Sequence, residues 1–178
     1  MARSSAAEKS LATLSTSGTI VLFTPVIAIK PSSSTSSSSS SKNSASSNTD
    51  PFELLGRALS RYHKRIRHVP FHPNVGFTDT HDAFLSQADA VIVVICEPQH
   101  HKTDSLGDQI EFAESANDAL KESRGSRPLK HPVTLVQCGN SEGSWWPDNS
   151  AFETVLHCRT NDVETAQHVA RKLFEGRK

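Results

Sequence analysis

The stretch "QADAVIVVICEPQHHKTD", Gln87 to Asp104, runs a continuous apolar segment into Glu97, His100, His101, Lys102 and Asp104. Carboxylates and imidazoles are the usual groups for general acid–base work, and an imidazole beside a thiol is a metal-ligand pair. The chain has three cysteines, Cys96, Cys138 and Cys158, and each falls at the carboxyl end of a predicted strand. If neighbouring strands align them, His100 or His101 could complete a zinc set. None of these residues has the short-range spacing of a zinc motif, and adjacent histidines rarely share one ion. A cysteine that ends a buried strand is ordinarily a small hydrophobe, so packing is the preferred reading and no metal is assigned.

Other chemistries meet similar tests. Glycoside hydrolysis needs two carboxyl groups across the scissile bond. Asp79, Asp82, Glu97 and Asp104 are candidates by position, but Asp79 and Asp82 are better explained as helix-start residues. Glu97 alone stands directly at the end of the strongest strand. Trp145 and Trp146, in "GNSEGSWWPD", could stack on a sugar ring, although such a pair more often plugs an interface. No GxGxxG or GxxxxGK[ST] occurs, so no nucleotide cofactor is predicted; the GNSEG at 139–143 spells GxSxG, but it is read as a Gly-Asn-Ser loop after the fourth predicted strand and no hydrolase triad is predicted. The ligand-facing candidates are therefore Glu97, His100, His101, Trp145 and Trp146, with no catalytic, cofactor or metal residue assigned.

These residues need elements to position them. The chain has 178 residues, with 19 Lys and Arg against 19 Asp and Glu. A formal net charge of zero gives no bulk electrostatic case for nucleic acid or an anionic membrane. The locally basic "RALSRYHKRIRH" reads most simply as a helix ending in cations. An odd number of cysteines without CxxC fits reduced thiols in the cytoplasm. The apolar stretch from Gly18 to Lys30 is too short to span a bilayer, Pro25 interrupts it, and "KPSSS" is a poor cleavage site, so secretion is disfavoured. Residues 32–49 contain no large apolar side chain and are expected to be a disordered Ser-rich insertion.

Residues 1–17 are expected to form an N-terminal helix and junction, with the helix over 2–14. Residues 18–178 are expected to form one α/β domain. Strands are predicted over Thr19–Phe23, Ile66–Phe71, Ala90–Cys96, Val133–Cys138 and Glu153–Cys158. A helix capped by Thr49 or Asp50 should run over Pro51–His63, with Phe52, Leu55, Leu59 and Tyr62 on its buried face. Another should start at Thr78 or Asp79 and continue through Ala88, and a third should cover residues 105–123. The last should be capped by Asn161 or Asp162, stopped by Gly176, and bury Val163, Ala166, Val169, Ala170, Leu173 and Phe174. Apolar strands alternating with helices imply a flavodoxin-like three-layer sandwich with a mainly parallel sheet of about five strands.

Whole segments also carry a resemblance. "DPFELLGRALSRYHKRIRHVPF", "GFTDTHDAFLSQADAVIVVICE", "HPVTLVQC" and "DVETAQHVARKLFEG" resemble the C-terminal domain of fungal family 3 glycoside hydrolases, in the β-N-acetylglucosaminidase branch. The likeness covers about residues 5 to 175. It implies a larger parent protein, in which a preceding TIM-barrel domain carries the nucleophilic Asp and a His–Asp acid/base pair. No "KHFPGHG"-like segment occurs in this sequence, so no catalytic residue carries over and the chain alone is expected to be inactive. The resemblance places the start of this sequence near the domain junction, as in a fragment, a truncated product or a stand-alone derivative. The implied partners are such a barrel and, through it, an N-acetylglucosaminide. No cofactor, nucleic acid or membrane is implied. The alternatives are a stand-alone flavodoxin-like module binding a small ligand or nucleotide, and a non-catalytic interaction protein.

Overall fold

The computed structural model describes residues 11–27, 50–97, 106–124, 133–139, 149–158 and 162–175. Expectations for residues 1–10, for the Ser-rich tract and for Gly176 lie outside this set.

Runs of β-branched residues without polar alternation make the sheet. β1 (Ile20–Pro25), β3 (Ala90–Cys96) and β4 (Thr134–Cys138) are buried at every position. β2 (Ile66–Phe71) and β5 (Thr154–Cys158) include exposed residues. The order among the described residues is β2-β1-β3-β4-β5, and every pairing is parallel. This is the expected flavodoxin-like order, with β3 central. Strands buried on both faces cannot alternate polar and apolar residues, which explains why they stand out in the sequence.

Among the described residues, four α-helices cover the two faces. α1 (Glu53–Ser60) packs against α4 (Val163–Leu173), and α2 (Asp79–Leu85) against α3 (Leu106–Arg124). The period of two along each strand divides the core. Ile20, Leu22, Ile92, Val94 and Val136 pack with Leu55, Leu59, Val169 and Leu173. Val21, Phe23, Val91, Val93, Ile95 and Leu135 pack with Leu85, Phe112, Ala113 and Leu120. Leu11 and Leu14, in and after a short 3₁₀ turn (Leu11–Thr13), join the first layer.

Some boundaries differ from expectation. α1 is shorter than Pro51–His63 because its ends relax into turns. Its N-cap position is Phe52, and Asp50 acts two residues earlier, accepting the Phe52 N–H at 2.9 Å. Tyr62 is 39 % exposed rather than buried. α2 ends at Leu85, with Gln87 and Ala88 in a following turn. Val163, expected on the buried face of α4, is exposed because it lies in the first turn, before the helix meets the sheet. Asp162 caps α4 as expected, accepting the Thr165 N–H at 2.8 Å.

Candidate functional site

In open α/β sheets, ligands bind beyond the carboxyl ends of the strands, at the point where the order reverses. Here that point lies between β1 and β3: the chain moves outward from β1 to β2, and from β3 to β4. Thr24, Pro25, Cys96, Glu97, Cys138 and Cys158 mark this end of the sheet. Glu97 is half-buried, and its backbone N–H donates to the Cys138 carbonyl at 2.9 Å. His100, His101, Trp145 and Trp146 lie outside the described residues, as do Lys102 and Asp104.

The gap between β1 and β3 is closed by a side chain. β1 pairs with β3 only as far as Phe23 opposite Val93. Beyond that, Cys96 has backbone groups that need partners in a dry interior. Gln109, at the start of α3 and fully buried, supplies both: its Oε1 accepts the Cys96 N–H at 2.8 Å, and its Nε2 donates to the Cys96 carbonyl at 3.0 Å. Gln109 thus substitutes for a strand neighbour, which nothing in its sequence surroundings announces.

A hydroxyl–imidazole–carboxylate chain lies on the other side of β1. Thr24 Oγ1 is 2.6 Å from His68 Nε2, and His68 Nδ1 is 3.3 Å from Asp50 Oδ2. The order of groups is that of a nucleophile, its base and the residue that orients the base. Accessibility decides against that chemistry: Thr24 is 1 % exposed, so no substrate carbonyl can reach Oγ1. The arrangement satisfies a buried hydroxyl and ties the start of α1 to β2. It also breaks up the basic stretch of the sequence. Arg57 pairs with Glu53 at 2.6 Å, the His63 ring meets the Gly18 carbonyl at 2.6 Å, and His68 serves Thr24. The three partners come from distant or helical spacing, so composition alone gives only a run of cations.

The three cysteines do come together. Cys96 is opposite Cys138, and Cys138 opposite Cys158, in one row across β3, β4 and β5. All three are buried free thiols on the same face of the sheet. Cys138 Sγ and Cys158 Sγ are 2.8 Å apart, and the Cys158 thiol donates to the Gln137 carbonyl at 3.4 Å. Hydrogen bonds to Cys158 and Cys96, followed by burial, raise the Cys138 thiol pKa well above its ordinary value. Among the described residues, no group of three His, Cys, Asp or Glu is disposed to hold a metal ion.

Two further features lie nearby. His81 packs among Phe23, Phe77 and Phe112. Its Nδ1 accepts the Thr78 N–H at 3.0 Å, filling the place a Glu takes in a capping box. Its other nitrogen donates to the Pro70 carbonyl, while burial lowers its pKa. On the opposite face, a groove of about 590 Å³ runs between α1, α4 and the end of β5, with Arg61, Tyr62, Cys158, Glu164, His168 and Arg171 in its lining. Tyr62 stacks on Phe174 at 5.4 Å, and Arg171 donates to His168 Nδ1 at 3.1 Å.

No family model matches the chain, and no curated protein matches it in sequence. Among solved structures, the fold resembles part of a fungal multi-domain family 3 β-N-acetylglucosaminidase, described as containing a GCN5-related glucosamine N-acetyltransferase region. The likeness has a TM-score of 0.57 at 12 % identity and covers 90 % of this chain. This chain spans only 14 % of that one. An oxidoreductase from Corynebacterium diphtheriae aligns over 89 % of this chain and 95 % of its own, with 15 % identity and a TM-score of 0.43.

Proposed function

We propose that this chain is an accessory α/β domain of the kind that accompanies a family 3 β-N-acetylglucosaminidase barrel, and that it is not a glycosidase by itself. The supporting observation is that 90 % of the chain aligns in fold with part of a multi-domain enzyme of that family. The sequence segments that resemble the family point the same way. A retaining glycosidase needs a nucleophile and an acid/base on either side of the scissile bond. Among the described residues, Glu97 is a single carboxylate at a strand end, and the Thr24 hydroxyl is sealed from substrate. The chain's role in this reading is to pack against a barrel domain and to present its strand-end loops toward the barrel's sugar site.

The test is an assay of the purified chain on an aryl N-acetylglucosaminide, alone and with a family 3 barrel domain supplied in trans. No turnover alone, together with binding to the barrel, is the expected outcome. Turnover by the chain alone that disappears in Glu97→Gln or His101→Ala would overturn the reading. A second reading, a module for a small anionic ligand, draws on the groove lined by Arg61 and Arg171. Calorimetric titration with phosphate and sugar phosphates distinguishes it, because an accessory domain needs no such binding.

A further inference from the structure

The side chains of Cys138 and Cys158 are in contact, on adjacent parallel strands and in register. Neighbouring strands lie about 4.8 Å apart. That spacing is within the range of roughly 4.4–6.8 Å between Cα atoms that a disulfide accepts. The two thiols differ in access. Cys158 is 9 % exposed and lines the groove between α1 and α4, whereas Cys138 is 4 % exposed and lies behind it. Arg61 and Arg171 line the same groove. Cys96 is also in the row but does not line the groove.

We propose that Cys138 and Cys158 form an oxidisable dithiol, a modification site at which a hydroperoxide entering the groove converts the pair to a disulfide. In the first step, the Cys158 thiolate attacks the peroxide. An S–O bond forms, the O–O bond breaks, and hydroxide leaves. The sulfur is oxidised to a sulfenic acid and the peroxide is reduced. In the second step, the Cys138 sulfur attacks the sulfenic sulfur. The S–S bond forms, the S–O bond breaks, and the hydroxide takes up the Cys138 proton as water. Overall, two thiols and one hydrogen peroxide give one disulfide and two waters. The product ties edge strand β5 covalently to β4, and a dithiol reductant reverses it.

The experiment treats the folded, reduced chain with hydrogen peroxide, then alkylates the remaining thiols in denaturant and weighs the product. The expected result is that three alkylatable cysteines fall to one, with Cys138 linked to Cys158 in the peptide map and dithiothreitol restoring all three. Cys96→Ala keeps the linkage. Cys138→Ala lets dimedone trap a sulfenic acid on Cys158. Three intact thiols under peroxide would overturn the proposal, as would a Cys96–Cys138 linkage or disulfides between chains. The map on the unsubstituted chain decides even if a variant fails to fold.

Discussion

At Cys96 two backbone groups would be left without partners in the core if Gln109 were not there. Replacing Gln109 with Leu keeps the bulk and removes both hydrogen bonds. Each buried backbone group left unpaired costs about 1–3 kcal/mol, so Gln109→Leu should lower unfolding stability by about 2–6 kcal/mol in urea titrations. A loss under about 0.5 kcal/mol, the size of an ordinary surface change, would show that Gln109 does not bear on the fold. His81 gives a pH-dependent counterpart. Burial holds its pKa below the ordinary 6.5, so the unfolded chain binds a proton more readily than the folded one. Its contribution to stability is therefore fully present above pH 6.5 and is lost as pH falls through the depressed folded value. The urea midpoint should fall between about pH 7.5 and pH 5, and His81→Gln should lessen that fall. An unchanged slope in the variant would remove His81 as the cause. Neither role was legible in the sequence. Gln109 lies 13 positions after Cys96 in the sequence, and His81 occupies a position where the helix-start pattern looks for Glu or Gln.

The elements were far more legible. β2 and β3 have the expected ends; for β3 the reason is that a run buried on both faces has no other reading at that length. Helix ends were not legible to the same degree. Phe52 and Tyr62 have helical spacing, but the chain turns at both places, and capping depends on backbone angles that residue types only bias. Where the cap is a side chain on the expected residue, the expectation held. Asp162→Ala should cost about 1 kcal/mol by removing the acceptor for the Thr165 N–H, read as a lower urea midpoint. The central position of β3 sets a harsher test. Val93 is fully buried, and Val93→Asp would place a carboxylate between two apolar layers. The penalty of several kcal/mol is comparable with a total stability of about 5–15 kcal/mol, so the variant should be insoluble or unfolded. Recovery of soluble protein with native circular dichroism would contradict the burial of β3.

Across the whole molecule, one sheet serves two apolar layers, so neither layer has a core of its own to keep. Leu59→Ala in the first layer and Phe112→Ala in the second should therefore shift the same single transition, by about 2–5 and 3–5 kcal/mol respectively. Two separable transitions in either variant would show that the layers unfold independently. The parallel architecture and its order followed from alternating strands and helices, since few topologies satisfy that pattern. The arrangement at the carboxyl end of the sheet did not follow. The row of cysteines depends on the relative register of three strands, and the chain from Thr24 through His68 to Asp50 depends on β2 lying beside β1. Both are properties of pairing across the sheet, and no local spacing encodes them.

Every open sheet has two borders, and a bare border invites another chain to lengthen it. On β2 the carbonyls of Arg65 and Phe71 point inward to β1, where they accept the N–H groups of Ile20 and Val26. Alternation turns Pro70 outward. A proline has no N–H to offer, and the Pro70 carbonyl is already taken by the His81 ring. An incoming strand thus finds neither donor nor acceptor at that position, and the β2 border resists the stacking of chain upon chain from which fibrils grow.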